Sequence, residues 1–272
     1  MVRIQYASDL HINDWPEGTP FKTFLIPNAP ILVIAGDICE VRSILYNKFL
    51  LWCSQNWYYV ILITGNHEYY WDHDAHPTMK QLSIDDIDTF IPLMGIPNVI
   101  FLQCGTSFKL PGTNIRFVGS TLWSAIDPMI YDEIAAVKGD YNATYTSTHQ
   151  GIRKTTPADI SALHALHKSY LESALAPQSS NEILIVVTHH MPSKQLLEPH
   201  YRDERWNSCY ASNDDDLIRS NVKVWICGHS HRATQWKAPS GTLVLMNARG
   251  YNRPEEQQRI EDMYNPSAYF DI

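Results

Sequence analysis

Three short hydrophobic runs, Val2–Ala7, Ile31–Ala35 and Tyr59–Thr64, each lead into a polar cluster: Asp9-Leu10-His11, Gly36-Asp37 and Gly65-Asn66-His67-Glu68. Runs of this length, rich in β-branched residues and stopped by turn formers, predict strands buried on both faces. Between the last two, Val41–Trp57 carries Ile44, Leu45, Phe49, Leu50, Trp52 and Cys53 at mostly helical intervals, which predicts a helix. From Asp9 to Asp37 is 28 residues and from Asp37 to Asn66 is 29, close to the roughly 30 residues of one strand–helix–strand unit. The three strand ends then lie side by side, with their polar residues at the carboxyl edge where open α/β sheets hold ligands.

Further strands are expected at Val99–Leu102, Asn114–Val118, Glu182–Val187, Val222–Cys227, Thr242–Met246 and Ala268–Asp271. Ile160–Leu175, opened by Pro157-Ala158-Asp159, reads as an amphipathic helix whose apolar face includes Leu163, Leu166 and Leu171. No repeat, low-complexity tract or linker divides the 272 residues, so one domain over 1–272 is the simplest organisation. Two segments fit the strand ladder poorly, at about 69–97 and 127–159, and are expected to cover the site.

Two more clusters follow later strands: Thr188-His189-His190 and Gly228-His229-Ser230-His231. On an extended chain the i, i+2 spacing of Asp9 with His11, and of His229 with His231, lets both members of a pair face the same way. Oxygen and imidazole donors without thiolate suit Mn, Fe, Zn or Mg rather than a structural cysteine site. Seven candidate ligands exceed the needs of one ion, and a shared carboxylate would hold two ions roughly 3.5–4 Å apart.

In this order, and each after a strand, the five clusters resemble the signature motifs of the calcineurin-like metallophosphoesterases. Gly119-Ser120-Thr121-Leu122-Trp123 and Asn247-Ala248-Arg249-Gly250-Tyr251 extend the likeness to the small single-domain branch. Val41 stands after Glu40 where protein phosphatases of the family carry an arginine, which weakens a protein-phosphatase reading.

The resemblance implies an α/β four-layer sandwich of two mixed β-sheets flanked by helices. It also implies two divalent metal ions, Mn favoured: Asp9, His11 and His231 on the first, Asn66, His189 and His229 on the second, and Asp37 bridging. His189 is taken over its neighbour His190 because the family places its ligand directly after the strand, with a proline three residues on, here Pro192. The implied reaction is hydrolysis of a small phosphodiester or phosphomonoester, nucleotide-like substrates included, by metal-activated hydroxide. His67 would be the general acid, with Glu40 its carboxylate partner. Arg249 and His190 are candidates for substrate binding. Tyr69, Tyr70, Trp71 and Trp123 are expected to pack the cover rather than wall the site. Asp214-Asp215-Asp216 reads as a solvated face or helix start, and His73, His76, His149, His164, His167 and His200 sit in no motif.

Composition separates the competing readings. Lys and Arg number 21 against 29 Asp and Glu, a net charge of -8, so the overall field repels polyanions. A nuclease with the same centre is the first alternative, and the lack of a basic run disfavours it. A non-catalytic scaffold of the same fold is the second, disfavoured because every ligand and His67 are retained. The five scattered cysteines form no Cys-x-x-Cys pair and, with no membrane-length apolar run, favour a cytoplasmic location without membrane attachment.

Overall fold

The computed structural model describes residues 1–71, 81–137, 139–256 and 263–272. Its strands in chain order are β1 (Arg3–Ala7), β2 (Ile31–Ala35), β3 (Tyr59–Ile63), β4 (Val99–Phe101), β5 (Ser107–Lys109), β6 (Ile115–Ser120), β7 (Tyr145–Thr148) and β8 (Gly151–Lys154). They continue with β9 (Ile183–Thr188), β10 (Val222–Cys227), β11 (Ala233–Lys237), β12 (Leu243–Asn247) and β13 (Tyr269–Asp271). The α-helices are α1 (Ile44–Asn56), α2 (Ile84–Phe90), α3 (Tyr131–Val137), α4 (Asp140–Ala143) and α5 (Pro157–Ala174).

One sheet runs β13-β1-β2-β3-β4, parallel except for β13, and a second runs β11-β12-β10-β9-β6-β5, parallel except at its two edges. Because successive strand residues point to opposite faces, each sheet presents two apolar surfaces. Ile4, Val33 and Ile61 of the first meet Phe117, Ile185 and Ile226 of the second in a shared core. On the outer face of the first sheet, Leu32, Ile34 and Val60 pack against Tyr46, Phe49 and Cys53 of α1. On the outer face of the second, Val118, Val186 and Trp225 cluster with Leu171 of α5. Helices outside and two mixed sheets inside make the expected four-layer sandwich.

The helices start where their caps allow. Ser43 accepts from the Leu45 N–H ahead of α1, and Thr156 with Asp159 closes a reciprocal capping box on α5, Pro157 standing at its first position. The apolar face of α5 differs from expectation: Leu166 is exposed, while His164 and His167 are buried with Ile160 and Leu171. The imidazoles turn inward because Leu122 offers them its backbone. Its carbonyl lies 3.2 Å from His164 Nδ1, and its N–H donates to His167 Nδ1 at 3.1 Å.

Strands β5 and β11 and the β7–β8 hairpin were not expected; all are short and mostly polar, so no periodic run marks them. Segment 69–97 contains α2, and segment 127–159 contains α3, α4 and the hairpin. Trp71 N–H donates to the Ala143 carbonyl, which ties the two segments together.

Candidate metal centre

The carboxyl ends of β1, β2 and β3 face those of β9 and β10. Asp9 N–H donates to the Gly36 carbonyl, and Gly228 N–H to the His189 carbonyl. The loops that leave these strands turn sharply: Asp9, His11, Asp37, His229 and His231 all hold positive φ, between 40° and 71°. Non-glycine residues in that region cost on the order of 1–3 kcal/mol each and persist only where the surroundings over-determine them. Here the side chains supply the restraint. Asp9 accepts the His229 N–H on both carboxylate oxygens at 3.0 Å, and Asp37 Oδ1 accepts the His67 N–H at 2.8 Å.

All seven expected ligands come together. Asp9, His11 and His231 offer atoms within 4.8 Å of one another, as do Asp9, Asp37 and His189, and as do His189, His190 and His229. Asp37 Oδ2 faces one histidine of each expected set, His189 Nε2 at 3.4 Å and His11 Nε2 at 3.7 Å. Asn66 Oδ1 lies 3.1 Å from His189 Nε2.

The donor chemistry fits cations. His189 Nδ1 donates to the Ala35 carbonyl at 2.8 Å, leaving Nε2 turned to Asp37 and Asn66. His231 Nδ1 meets Glu256 Oε2 at 2.8 Å, and its Nε2 stands 3.1 Å from His11 Nε2. An outer hydrogen bond that frees the inward nitrogen is the usual preparation of a metal-ligating histidine.

Electrostatics carry the same imprint. Burial alone would depress His189, but Asp37 beside it raises its pKa to about 10. Burial pushes Asp37 the other way, and His189 and His67 outweigh it, holding the carboxylate well below its ordinary range. Asp9, buried near Asp37, is raised. His11 is lowered well below the usual imidazole value by burial and by His67. His231 is raised despite burial, chiefly by Glu256 and Asp9.

His67 sits at the mouth of the cluster. Its Nε2 lies 2.8 Å from the Tyr251 hydroxyl, and its ring centroid is 4.1 Å from that of Tyr70. The partner at this nitrogen is therefore Tyr251 and not the expected Glu40, whose carboxylate accepts from Asn13 Nδ2 at 3.3 Å. The acidic residue built into the centre is Glu68, which accepts N–H bonds from Asp37, Ile38 and Gly65 at 2.7–2.9 Å. Burial and the neighbouring Asp37 push it up to about 8, and the donated N–H groups pull the other way.

Arg249 also departs from expectation. Its guanidinium lies over Trp15 at 4.3 Å, with Tyr264 at 5.2 Å and Phe24 at 5.5 Å. This aromatic box, not the cluster of candidate ligands, receives the charge, and burial lowers the pKa. His190 stays inside: its ring stacks 4.0 Å from His229 and 5.4 Å from Trp123, and Nδ1 has no hydrogen-bond partner among the described residues. Tyr69, Trp71 and Trp123 are buried packing residues, as expected. Asp214 is buried rather than solvated, since Lys168 Nζ lies 3.0 Å away and His164 Nε2 3.4 Å. His73, His76 and the side chain of His200 lie outside the described residues.

Three residues around the centre had no assigned role. Asp140 Oδ1 accepts from Asn66 Nδ2 at 2.8 Å and from the Tyr70 hydroxyl at 2.5 Å, so the segment expected as a cover fixes a candidate ligand. Glu256 accepts from Tyr251 N–H at 2.9 Å as well as facing His231. Tyr251 closes the expected Asn-x-Arg-Gly-Tyr motif, and that adjacency was the one available signal.

Among known proteins, the family model described as calcineurin-like phosphoesterase matches residues 2–233. An uncharacterised protein of Acanthamoeba polyphaga mimivirus is 26% identical over 286 residues, which cover 99% of this chain and 96% of its own length. The solved phosphopantetheinyl hydrolase of Mycobacterium tuberculosis shares the fold with a TM-score of 0.71 at 18% identity, over 94% of this chain and 91% of that one.

Proposed function

This chain belongs to the calcineurin-like phosphoesterase family, and from that premise we propose a dinuclear-metal-dependent phosphoesterase, one domain over residues 1–272, acting on a small phosphodiester or phosphomonoester. The observation that carries the reading is the position of Asp37 Oδ2, which faces His11 of one ligand set and His189 of the other.

Asp9, His11 and His231 would hold one ion, and Asn66, His189 and His229 the other, with Asp37 between them. Manganese suits this oxygen and nitrogen donor set. When bound, the ions would supply Lewis acidity and make a hydroxide nucleophile available near neutral pH. The chain's own residues do the rest. Asp140 and Tyr70 fix Asn66, while Glu256 and the Ala35 carbonyl fix the ligand nitrogens of His231 and His189. His67, at the mouth, delivers a proton to the departing ester oxygen, and Tyr251 orients its ring.

The thiols of Cys39, Cys53 and Cys227 are free and buried, which supports a reducing, cytoplasmic setting. Among the described residues no helix is long and apolar enough to cross a membrane.

The test is metal analysis of the purified protein beside a manganese-supplemented panel: aryl monoesters and diesters, cyclic nucleotides, a phosphopantetheinyl ester and single-stranded nucleic acid. Turnover of small esters that disappears together with metal in Asp37→Ala supports the reading. Preference for nucleic acid would favour a nuclease, and bound metal with no turnover a scaffold.

A further inference from the structure

A groove of about 630 Å³ opens beside the metal cluster, within the size range of small-molecule sites. Two of its lining residues belong to the centre's own surroundings. Ser230 stands between His229 and His231, and the Tyr210 ring lies 5.3 Å from the His229 ring. Leu197, Tyr201 and Trp206 continue the surface away from the cluster. Trp206 is anchored, its indole N–H donating to Glu133 Oε1 at 2.7 Å.

The polar residues of the groove narrow what it can take. Glu133 and Glu204 place two carboxylates against the single guanidinium of Arg205, which pairs with Glu133 at 2.8 Å. A second phosphate entering here meets net negative charge, whereas a flat or bulky uncharged group meets aromatic faces.

Resting on the proposed phosphoesterase reading, we propose that this groove seats the organic part of the substrate and selects esters of one phosphate with a bulky, uncharged, ring-bearing group over polyphosphates and polynucleotides. With the phosphoryl group beside His229, a ring on the ester enters the groove at Tyr210, whose ring lies 5.3 Å from that of His229, and the same lining includes Trp206. Tyr201 and Trp206 are then the specificity-determining residues.

The experiment uses the manganese-loaded protein and two diester substrates that release the same 4-nitrophenolate and differ only in the retained group, methyl or naphthylmethyl. The wild-type protein is expected to prefer the naphthylmethyl ester by about tenfold or more in kcat/KM. Trp206→Ala and the more exposed Tyr201→Ala should each bring that ratio to within about twofold of unity; thermal melting checks that each variant is folded. A wild-type ratio near one, or variants that leave the ratio unchanged, would overturn the groove assignment. Crystals soaked with 2-naphthylphosphonate give a readout independent of turnover: a ring in the groove against Tyr210 or Trp206 supports the proposal, and a ring outside the groove sinks it. Failure of the wild-type protein to hydrolyse either ester would count against the hydrolase reading instead, and the soaked crystal would still decide the groove.

Discussion

The Tyr251 hydroxyl lies 2.8 Å from His67 Nε2, and the same ring stacks 4.3 Å from His11. One side chain thus touches both the proposed acid and a proposed metal ligand. Burial raises the phenol's pKa, so it stays neutral, and its oxygen can accept the His67 Nε2–H until the leaving oxygen takes that proton. Tyr251→Phe should lower kcat on alkyl esters by about tenfold, the value of one such hydrogen bond. His67→Ala should cost about 10²–10⁴. Both losses should shrink on 4-nitrophenyl esters, whose leaving group needs no proton, and metal content should hold. Equal losses on good and poor leaving groups would remove the general-acid role.

Two glycines stand where a side chain would strike a carboxylate. A Cβ on Gly65 would meet Asp37 Oδ1 at 2.2 Å, and one on Gly228 would meet Asp9 Oδ2 at 2.4 Å. The glycine in each motif is therefore required by close approach. Gly65→Ala should displace the shared carboxylate and lose both ions, whereas Gly228→Ala should lose chiefly the one held by Asp9. Elemental analysis of folded variants, checked by circular dichroism, reads the difference. Full metal content in Gly65→Ala would show that Asp37 does not bridge.

The strands that carry Asp9, Asp37 and Asn66 were legible because each is a buried apolar run that stops at its functional residue. The surrounding contacts were not. Tyr251 and Glu256 reach the centre because the chain beyond β12 runs along β1, with Arg249 and Gly250 N–H groups donating to the Ser8 and Asp9 carbonyls. No local pattern encodes that path. Leu166 was misplaced because a 3.6-residue period counts apolar residues, while the buried face of α5 is decided by the hydrogen bonds of His164 with the Leu122 carbonyl and of His167 with the Leu122 N–H. Arg249 was misplaced for a related reason: its aromatic box is assembled from positions 15, 24 and 264, which nothing in the motif brings to mind.

Glu256 holds His231 through a 2.8 Å contact to Nδ1. Glu256→Gln keeps the shape, loses the charge and lowers the basicity of the ligand nitrogen. Manganese affinity of the set formed by Asp9, His11 and His231 should fall about 10–100-fold, as for other outer partners of ligating histidines. The set around His189 should be little affected. Competition titration with a fluorescent chelator resolves the two, and a variant in which both phases match the wild type would assign Glu256 a purely structural part.

Metal uptake should release protons, and His189 is the source. Both of its ring nitrogens face acceptors, Ala35 O on one side and Asp37 with Asn66 Oδ1 on the other, and Asp37 raises the pKa from 6.5 to about 10 against burial. A cation takes the Nε2 position only by displacing its proton. Calorimetric titration of manganese near pH 7 in buffers of different ionisation enthalpy should report release of roughly one proton from this residue, and affinity should climb with pH until about pH 10. The sign for metal-free stability is opposite. A raised histidine contributes fully below its unfolded value of 6.5, and that contribution is lost as pH rises through about 10. Asp37, held below its ordinary 3.8, contributes above that value and loses it on acidification. Asp37→Asn removes the partner that raises His189, so proton release should largely vanish in that variant. If it persisted at the wild-type level, the displaced proton would belong to another group and the Asp37–His189 pair would not control metal entry.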